Sequence, residues 1–352
     1  MIKVSNLTPS LAILSNAIGK STMPILSCIR VRAEDGKLHM TASNLEMQID
    51  VITEAETKGK TEFCADAKKI TDFAKISGSN QIEIKIDKEK LAMKAKSRSN
   101  INFMPFDNFP DIEVDKKDCV HVTLDAALLS EAISQTSVSV ALNDVRFFLN
   151  GFNLNIKDNI GILASSDGHR LSKYTFPVVS DGDINCIIPK QTGLTISKLF
   201  NAGYITLALN RNSVSIDDGT IKLLARNIDA KYPDFSKVFS QTRQTLKIIP
   251  SDFISGLEAA GINANAQNKG IRLEYQTNLI KMSGTNENGE ESSIDVPCEY
   301  SGSHLMLAYN MTYLIEAAKR LKGNIELGIN ETSILLTGED DNAIQLVMPM
   351  RL

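Results

Sequence analysis

The sequence predicts an α+β protein of three tandem copies of one unit, each with two helices packed on a mostly antiparallel sheet. Three observations predict it. Strands alternating apolar and polar residues recur as Ile82/Ile84/Ile86, Ile205/Leu207/Leu209 and Ile325/Leu327/Ile329, offset by 123 and 120 residues. Such period-two alternation marks a strand with one buried face. A helical segment precedes each strand, and a glycine follows each helix at Gly78, Gly203 and Gly323, as a left-handed C-cap requires. Phe109-Pro110-Asp111 and Tyr232-Pro233-Asp234 also repeat, 123 residues apart.

The first unit opens with a helix over Thr8–Lys20 behind a cap-like threonine. A strand follows in which Ile29, Val31 and Ala33 face one way and Arg30 and Arg32 the other. After a turn at Asp35-Gly36, Leu38, Met40 and Ala42 alternate with Lys37, His39 and Thr41. A second helix over Asp66–Ser77 then leads to the Ile82 strand. The second unit repeats this order with helices at Leu124–Gln135 and Pro189–Asn201. The third uses Pro250–Gly261 and Tyr309–Lys322. The unit boundaries fall at 1–120, 121–245 and 246–352, an ordinary domain size, with no Gly-, Ser- or Pro-rich linker between them.

Composition narrows the function. With 43% hydrophobic and 23% charged residues, the 352-residue chain is globular and not of low complexity. A net charge of −4 gives no overall basic footprint for nucleic acid. The six helical segments carry nine basic and seven acidic residues, a small positive bias that fits either solvated faces or a layer facing phosphate. No apolar run is long enough to span a membrane, and MIKVSNLTPS lacks a signal-peptide pattern. The five widely spaced cysteines form no C-x-x-C pair and read as free thiols of a reducing cytoplasm.

The search for chemistry returns little. There is no P-loop, no G-x-G-x-x-G after a strand and no G-x-S-x-G elbow. The four histidines form no metal-ligand pattern, so neither metal nor cofactor is expected. Ser165-Ser166-Asp167-Gly168-His169-Arg170 gathers a hydroxyl, a carboxylate, an imidazole and a guanidinium. A hydrolase or transferase using Asp167 and His169 is the enzymatic reading. Residues so close in sequence seldom converge as a triad, and a structural or binding turn is the plainer reading. The tail Leu346–Leu352 is apolar, with methionines either side of Pro349. It reads as an edge strand or as a pocket wall, where methionine adapts to varied ligands.

Several strings together resemble the bacterial DNA polymerase III beta subunit, the sliding clamp family. They are Thr22–Ser27 (TMPILS), Leu45–Met47 (LEM), Phe109–Asp111 (FPD), Asp144–Gly151 (DVRFFLNG), Ser166–Leu171 (SDGHRL), Tyr232–Phe235 (YPDF), Lys269–Leu273 (KGIRL) and Val347–Leu352 (VMPMRL). They run in family order along the whole chain. The resemblance implies three clamp domains per subunit, with the subunit forming half of a closed ring. It implies a cytoplasmic, non-enzymatic processivity factor of DNA replication. As a head-to-tail homodimer it would encircle double-stranded DNA without reading sequence, and it would not bind membrane. Its partners would be the DNA polymerase III catalytic subunit, the clamp loader, and other replication and repair polymerases or repair proteins. A monomeric protein–protein adaptor is the alternative.

By family position, Lys20, Lys68 and Arg146 would contact DNA, with Asn143, Lys69, Lys190 and Lys237 as further candidates. Lys20 and Lys68 stand where arginine is familiar, and Ser166 replaces a threonine. A groove for partner peptides with apolar anchors would be formed by Phe148, Leu149, Ser166, Gly168, His169, Arg170, Leu171, Pro233, Val238, Leu346, Met348, Pro349, Met350 and Arg351, bordered by Asn310 and Tyr313. The resemblance places Asn263–Asn268 (NANAQN) at a subunit interface.

Overall fold

The computed structural model describes residues 1–19, 22–87, 90–113, 117–239 and 243–351. It divides into two compact units. The first comprises Met1–Ala126, Val179–Cys186 and Lys198–Asn227; the second comprises Ala127–Val178, Ile187–Ser197 and Ile228–Leu352.

The first unit is built on a thirteen-stranded sheet. Helix α1 (Val4–Leu14) buries Leu7, Leu11 and Leu14, the i, i+4, i+7 stripe of an amphipathic helix. It starts four residues before the predicted Thr8. Lys3 occupies the N-cap without a side-chain bond, and Pro9 lies inside the helix. The apolar stripe decides the start, and Pro9 is tolerated on the exposed face, where the carbonyl it leaves unpaired can meet water. Helix α2 (Ala67–Ile76) begins as expected: Asp66 is its N-cap and accepts the Lys69 N–H at 2.8 Å. Gly78 follows at φ +59°.

The strand Gln81–Asp87 keeps the predicted alternation but not the predicted burial. Ile82 is buried, whereas Ile86 is 40% exposed. Ile84 and Ile86 border an open cleft of about 680 Å³ whose rim is the polar segment Glu56–Glu62. The counterparts Ile205, Leu207 and Leu209 are all buried.

The second unit holds most of a nine-stranded sheet and all of a four-stranded one. Its helices are α3 (Ala126–Thr136), α4 (Lys190–Leu199), α5 (Ser236–Phe239), α6 (Pro250–Ala260) and α7 (Met311–Ala318), with the first residue of α3 and the last two of α4 assigned to the first unit. One core joins Phe253 and Leu257 of α6 and Leu314 of α7 to Leu273, Tyr275, Ile280, Met282, Leu327 and Leu336 of the strands. Tyr309, read from sequence as the start of the last helix, instead lies fully buried in the strand Leu305–Asn310. The helix begins after Asn310, whose side chain accepts the Tyr313 N–H.

Compact units and sequence repeats do not coincide, because sheets run across repeat boundaries. In the first unit Met47–Glu54 pairs with Ile221–Arg226, Val51 opposite Ile221. In the second unit Arg170–Pro177 pairs with Ala343–Val347, Leu171 opposite Leu346. These ladders weld the middle repeat to both of its neighbours. Among the described residues no helix is long and apolar enough to cross a membrane.

Candidate partner-binding surface and DNA-facing residues

The Ser166–Arg170 turn is shaped by its own side chains. Asp167 Oδ1 accepts the N–H groups of His169 and Arg170, each at 3.0 Å, and Oδ2 accepts Arg170 Nε at 2.9 Å. Ser166 Oγ donates to the Arg170 carbonyl at 2.8 Å and accepts the Gly168 N–H at 3.1 Å. Gly168 has φ +90°, a conformation that favours glycine. Ser165 Oγ donates to the Thr136 carbonyl. Both Asp167 oxygens are therefore occupied in holding the turn, and the hydroxyls bond backbone carbonyls. The Asp167–His169 catalytic reading is corrected on this geometry: the carboxylate orients backbone and Arg170.

Arg170 extends from this turn toward α7. Its guanidinium lies 4.2 Å from the centroid of the Tyr313 ring, and Nη1 donates to Glu316. Cation–π and ion-pair contacts together fix a side chain that is only 13% exposed.

The tail is joined to this turn. Ala343–Val347 is an inner strand between Arg170–Pro177 and Ser333–Thr337, which settles the edge-strand expectation against that reading. Leu346 is buried. Beyond the ladder, the Met348 N–H donates to the His169 carbonyl at 2.9 Å, and the Met350 N–H to the Ala308 carbonyl at 2.8 Å. These two bonds tie the backbone while Met348 remains 47% exposed. Pro349, lacking an N–H, sits between them.

A chain of edge-on aromatic contacts lies in the same unit: Phe148 to Tyr232 at 6.4 Å, Tyr232 to Phe235 at 6.2 Å, and Phe235 to Phe239 at 6.0 Å. Leu149 is buried in the same cluster. Burial pushes the Tyr232 hydroxyl up, keeping it neutral. Arg243 holds α5 by donating to the Val238 carbonyl at 2.7 Å. Val238 is partly buried, and Pro233 and Arg351 are exposed. All sixteen candidate partner residues thus fall within the second unit.

The DNA candidates divide. Lys20 lies outside the described residues. Lys68 and Lys69 are exposed on the first turn of α2, where the positive end of the helix dipole adds to their charge. Asn143 (φ +53°) and Lys237 are exposed. Lys190 is turned inward: it is half-buried, and its Nζ donates to the Val140 carbonyl at 3.1 Å. Burial, with Arg170 nearby, lowers its pKa. Arg146 is exposed but paired, with Nε 3.0 Å and Nη2 2.9 Å from the Asp144 carboxylate. These bonds hold the Asp144 carboxyl down to about 2.

Sequence reading missed the supports Asp144, Arg243 and Glu316. Asp144 had a signal, since it stands two residues before Arg146. Glu316 had none, because its partner Arg170 is distant in sequence, and Arg243 had none, because it reaches a backbone carbonyl, which every residue carries.

Family models for the N-terminal, central and C-terminal domains of the DNA polymerase III beta subunit match residues 2–113, 123–234 and 238–351. The chain is 26% identical to the beta sliding clamp of Pseudomonas putida and 24% identical to that of Escherichia coli K12, each over 95% of this chain and 94% of the relative. Among solved structures, the DNA polymerase III subunit beta of Pseudomonas aeruginosa matches with TM-score 0.95 at 24% identity, covering 100% of this chain and 99% of that one. A DnaN sliding clamp from Pseudomonas aeruginosa bound to griselimycin matches with TM-score 0.94 at 25% identity, covering 100% and 98%. Three domain models in family order, over nearly every residue of a threefold-repeated chain, mean that it belongs to the DNA polymerase III beta subunit family.

Proposed function

We propose that this chain works as a DNA sliding clamp, an accessory subunit without catalysis of its own, and that the second unit captures partner peptides. The observation that carries this reading is the joining of the 166–171 turn to the 346–350 tail, which sets exposed Met348 beside a rigid turn. A peptide with leucine or phenylalanine anchors suits such a surface. The DNA polymerase III catalytic subunit, the clamp loader and repair polymerases are the partners this reading assigns, in the cytoplasm. The repeats at 1–120, 121–245 and 246–352 would serve as its three clamp domains.

The ring would be a head-to-tail homodimer, which closes by two equivalent heterologous contacts. Two exposed strand edges support it. Among the described residues, Arg98–Met104 lacks a second neighbour over most of its length, and it follows Lys94 and Lys96. Glu291–Pro297 is the edge of the four-stranded sheet and carries Glu290, Glu291, Asp295 and Glu299 in or beside it. The basic edge on one copy complements the acidic edge on the other, and Ile76 and Ile262, 75% and 76% exposed, supply apolar surface. Asn265, within the 263–268 segment, bonds Glu287 and its own loop.

Lys68, Lys69, Lys237 and Lys20 would supply the phosphate contacts, together with Asn143 and Arg146; Lys190 is left out because its amine is engaged. Such contacts are equivalent at every register, so the ring can slide while topology retains it. The test is retention on circular against linearised DNA, with solution mass measured alongside. Dimeric mass and loss of protein on linearisation support the clamp; a monomer retained equally on both would refute it.

A further inference from the structure

Arg146 belongs by family position to DNA and the Asp167–His169 turn to the peptide, yet the two form one bonded assembly. The Arg146 N–H donates to Asp144 Oδ1 at 2.8 Å, and its guanidinium meets the same carboxylate through Nε and Nη2. Nη2 also donates to the Asp167 carbonyl at 3.2 Å. The guanidinium comes close to Gly168: a Cβ there would lie 2.8 Å from Nη2 and 2.9 Å from Nη1, so a larger residue would push the Arg146 side chain aside. The next residue, His169, holds the Met348 N–H on its carbonyl. A continuous line of contacts therefore runs from Asp144 through Arg146 and the turn to the residue that would carry the peptide anchor.

Arginine binds a phosphate best through two parallel N–H bonds from one edge of its fork. In Arg146 the Nε/Nη2 edge is already on Asp144. A phosphate that takes this edge must displace the carboxylate, and Nη2 then leaves the Asp167 carbonyl. We propose that Arg146 couples the two sites: DNA phosphate competes with Asp144 and Asp167 for one guanidinium, so DNA and partner peptide bind antagonistically. A peptide that rigidifies the turn keeps Arg146 on it, and a phosphate that draws Arg146 away loosens the His169–Met348 contact. Coupling is reciprocal by thermodynamic necessity. This inference rests on the clamp reading, and it gives the surface a means of favouring partner exchange when Arg146 meets DNA.

The experiment is titration of the full-length protein with a fluorescent peptide bearing Leu and Phe anchors, with and without a saturating short duplex, and the reverse titration. The wild type should show about a fivefold or larger loss of peptide affinity with duplex, and the same factor in reverse. In R146Q that factor should fall to one. In D144N, where no carboxylate competes, duplex should bind more tightly than to wild type. A factor of one in wild type with both ligands bound overturns the coupling. So does a wild-type factor retained in R146Q, which would mean direct steric competition, or unchanged duplex affinity in D144N. Failure of wild type to bind the peptide at all would instead overturn the partner-surface reading on which this inference rests.

Discussion

Met348→Ala separates binding from folding, because the structure gives Met348 a tied backbone and a free side chain. Its N–H remains on the His169 carbonyl whatever the side chain. With 47% of the residue exposed, truncation leaves little enclosed cavity, and stability should change by less than about 1 kcal/mol. The same exposed surface is what a peptide anchor would cover. Burying a whole large apolar side chain contributes about 1.5–3 kcal/mol, so covering roughly half of one contributes about 0.7–1.5 kcal/mol. That corresponds to a rise in Kd of about three- to tenfold. The control is Leu346→Ala, whose side chain is 3% exposed and packed within the ladder. It should destabilise by about 2–5 kcal/mol. The assay is fluorescence anisotropy with a labelled peptide, with urea unfolding of each variant in parallel. Wild-type peptide affinity in a folded Met348→Ala protein would refute the surface assignment, and a large loss of stability in that variant would refute the reading of Met348 as a free side chain.

Three further outcomes are expected. Replacing Lys68 and Lys69 with Ala should flatten the dependence of log K on log salt for duplex binding by about 0.9 for each phosphate no longer neutralised; an unchanged slope removes them from the DNA-facing set. Asp66→Ala frees the Lys69 N–H at the start of α2 and should lower stability by about 1 kcal/mol, read from the urea midpoint, with Asp66→Asn largely restoring it. The Asp144 carboxyl, held down to about 2 by Arg146, should titrate there by NMR and move up toward the ordinary carboxylate range in R146Q. Because the folded value is depressed, its contribution to stability is present above the unfolded value near 3.8 and is lost as pH falls from there through about 2.

What the sequence determined by itself was local. Period-two alternation identified Tyr204–Leu209 and Ile325–Asn330 as strands with buried faces, and Asp66 and Gly78 marked the ends of α2, because side-chain period and cap chemistry act over a few residues. The threefold repeat was legible for the same reason, copied along the chain. Tertiary structure decided which faces were covered and which strands met. Ile86 alternates correctly but borders an open cleft, and Tyr309 belongs to a strand although helical residues follow it. The SDGHRL turn and the apolar tail were each ambiguous alone. They became one surface only through the register that sets Leu171 opposite Leu346. The inward turn of Lys190 and the pairing of Arg146 with Asp144 and the Asp167 carbonyl likewise depend on neighbours that no spacing announces. Strand partners and side-chain contacts between distant segments are chosen by the closing of the whole core, so a pattern confined to a few consecutive residues cannot encode them.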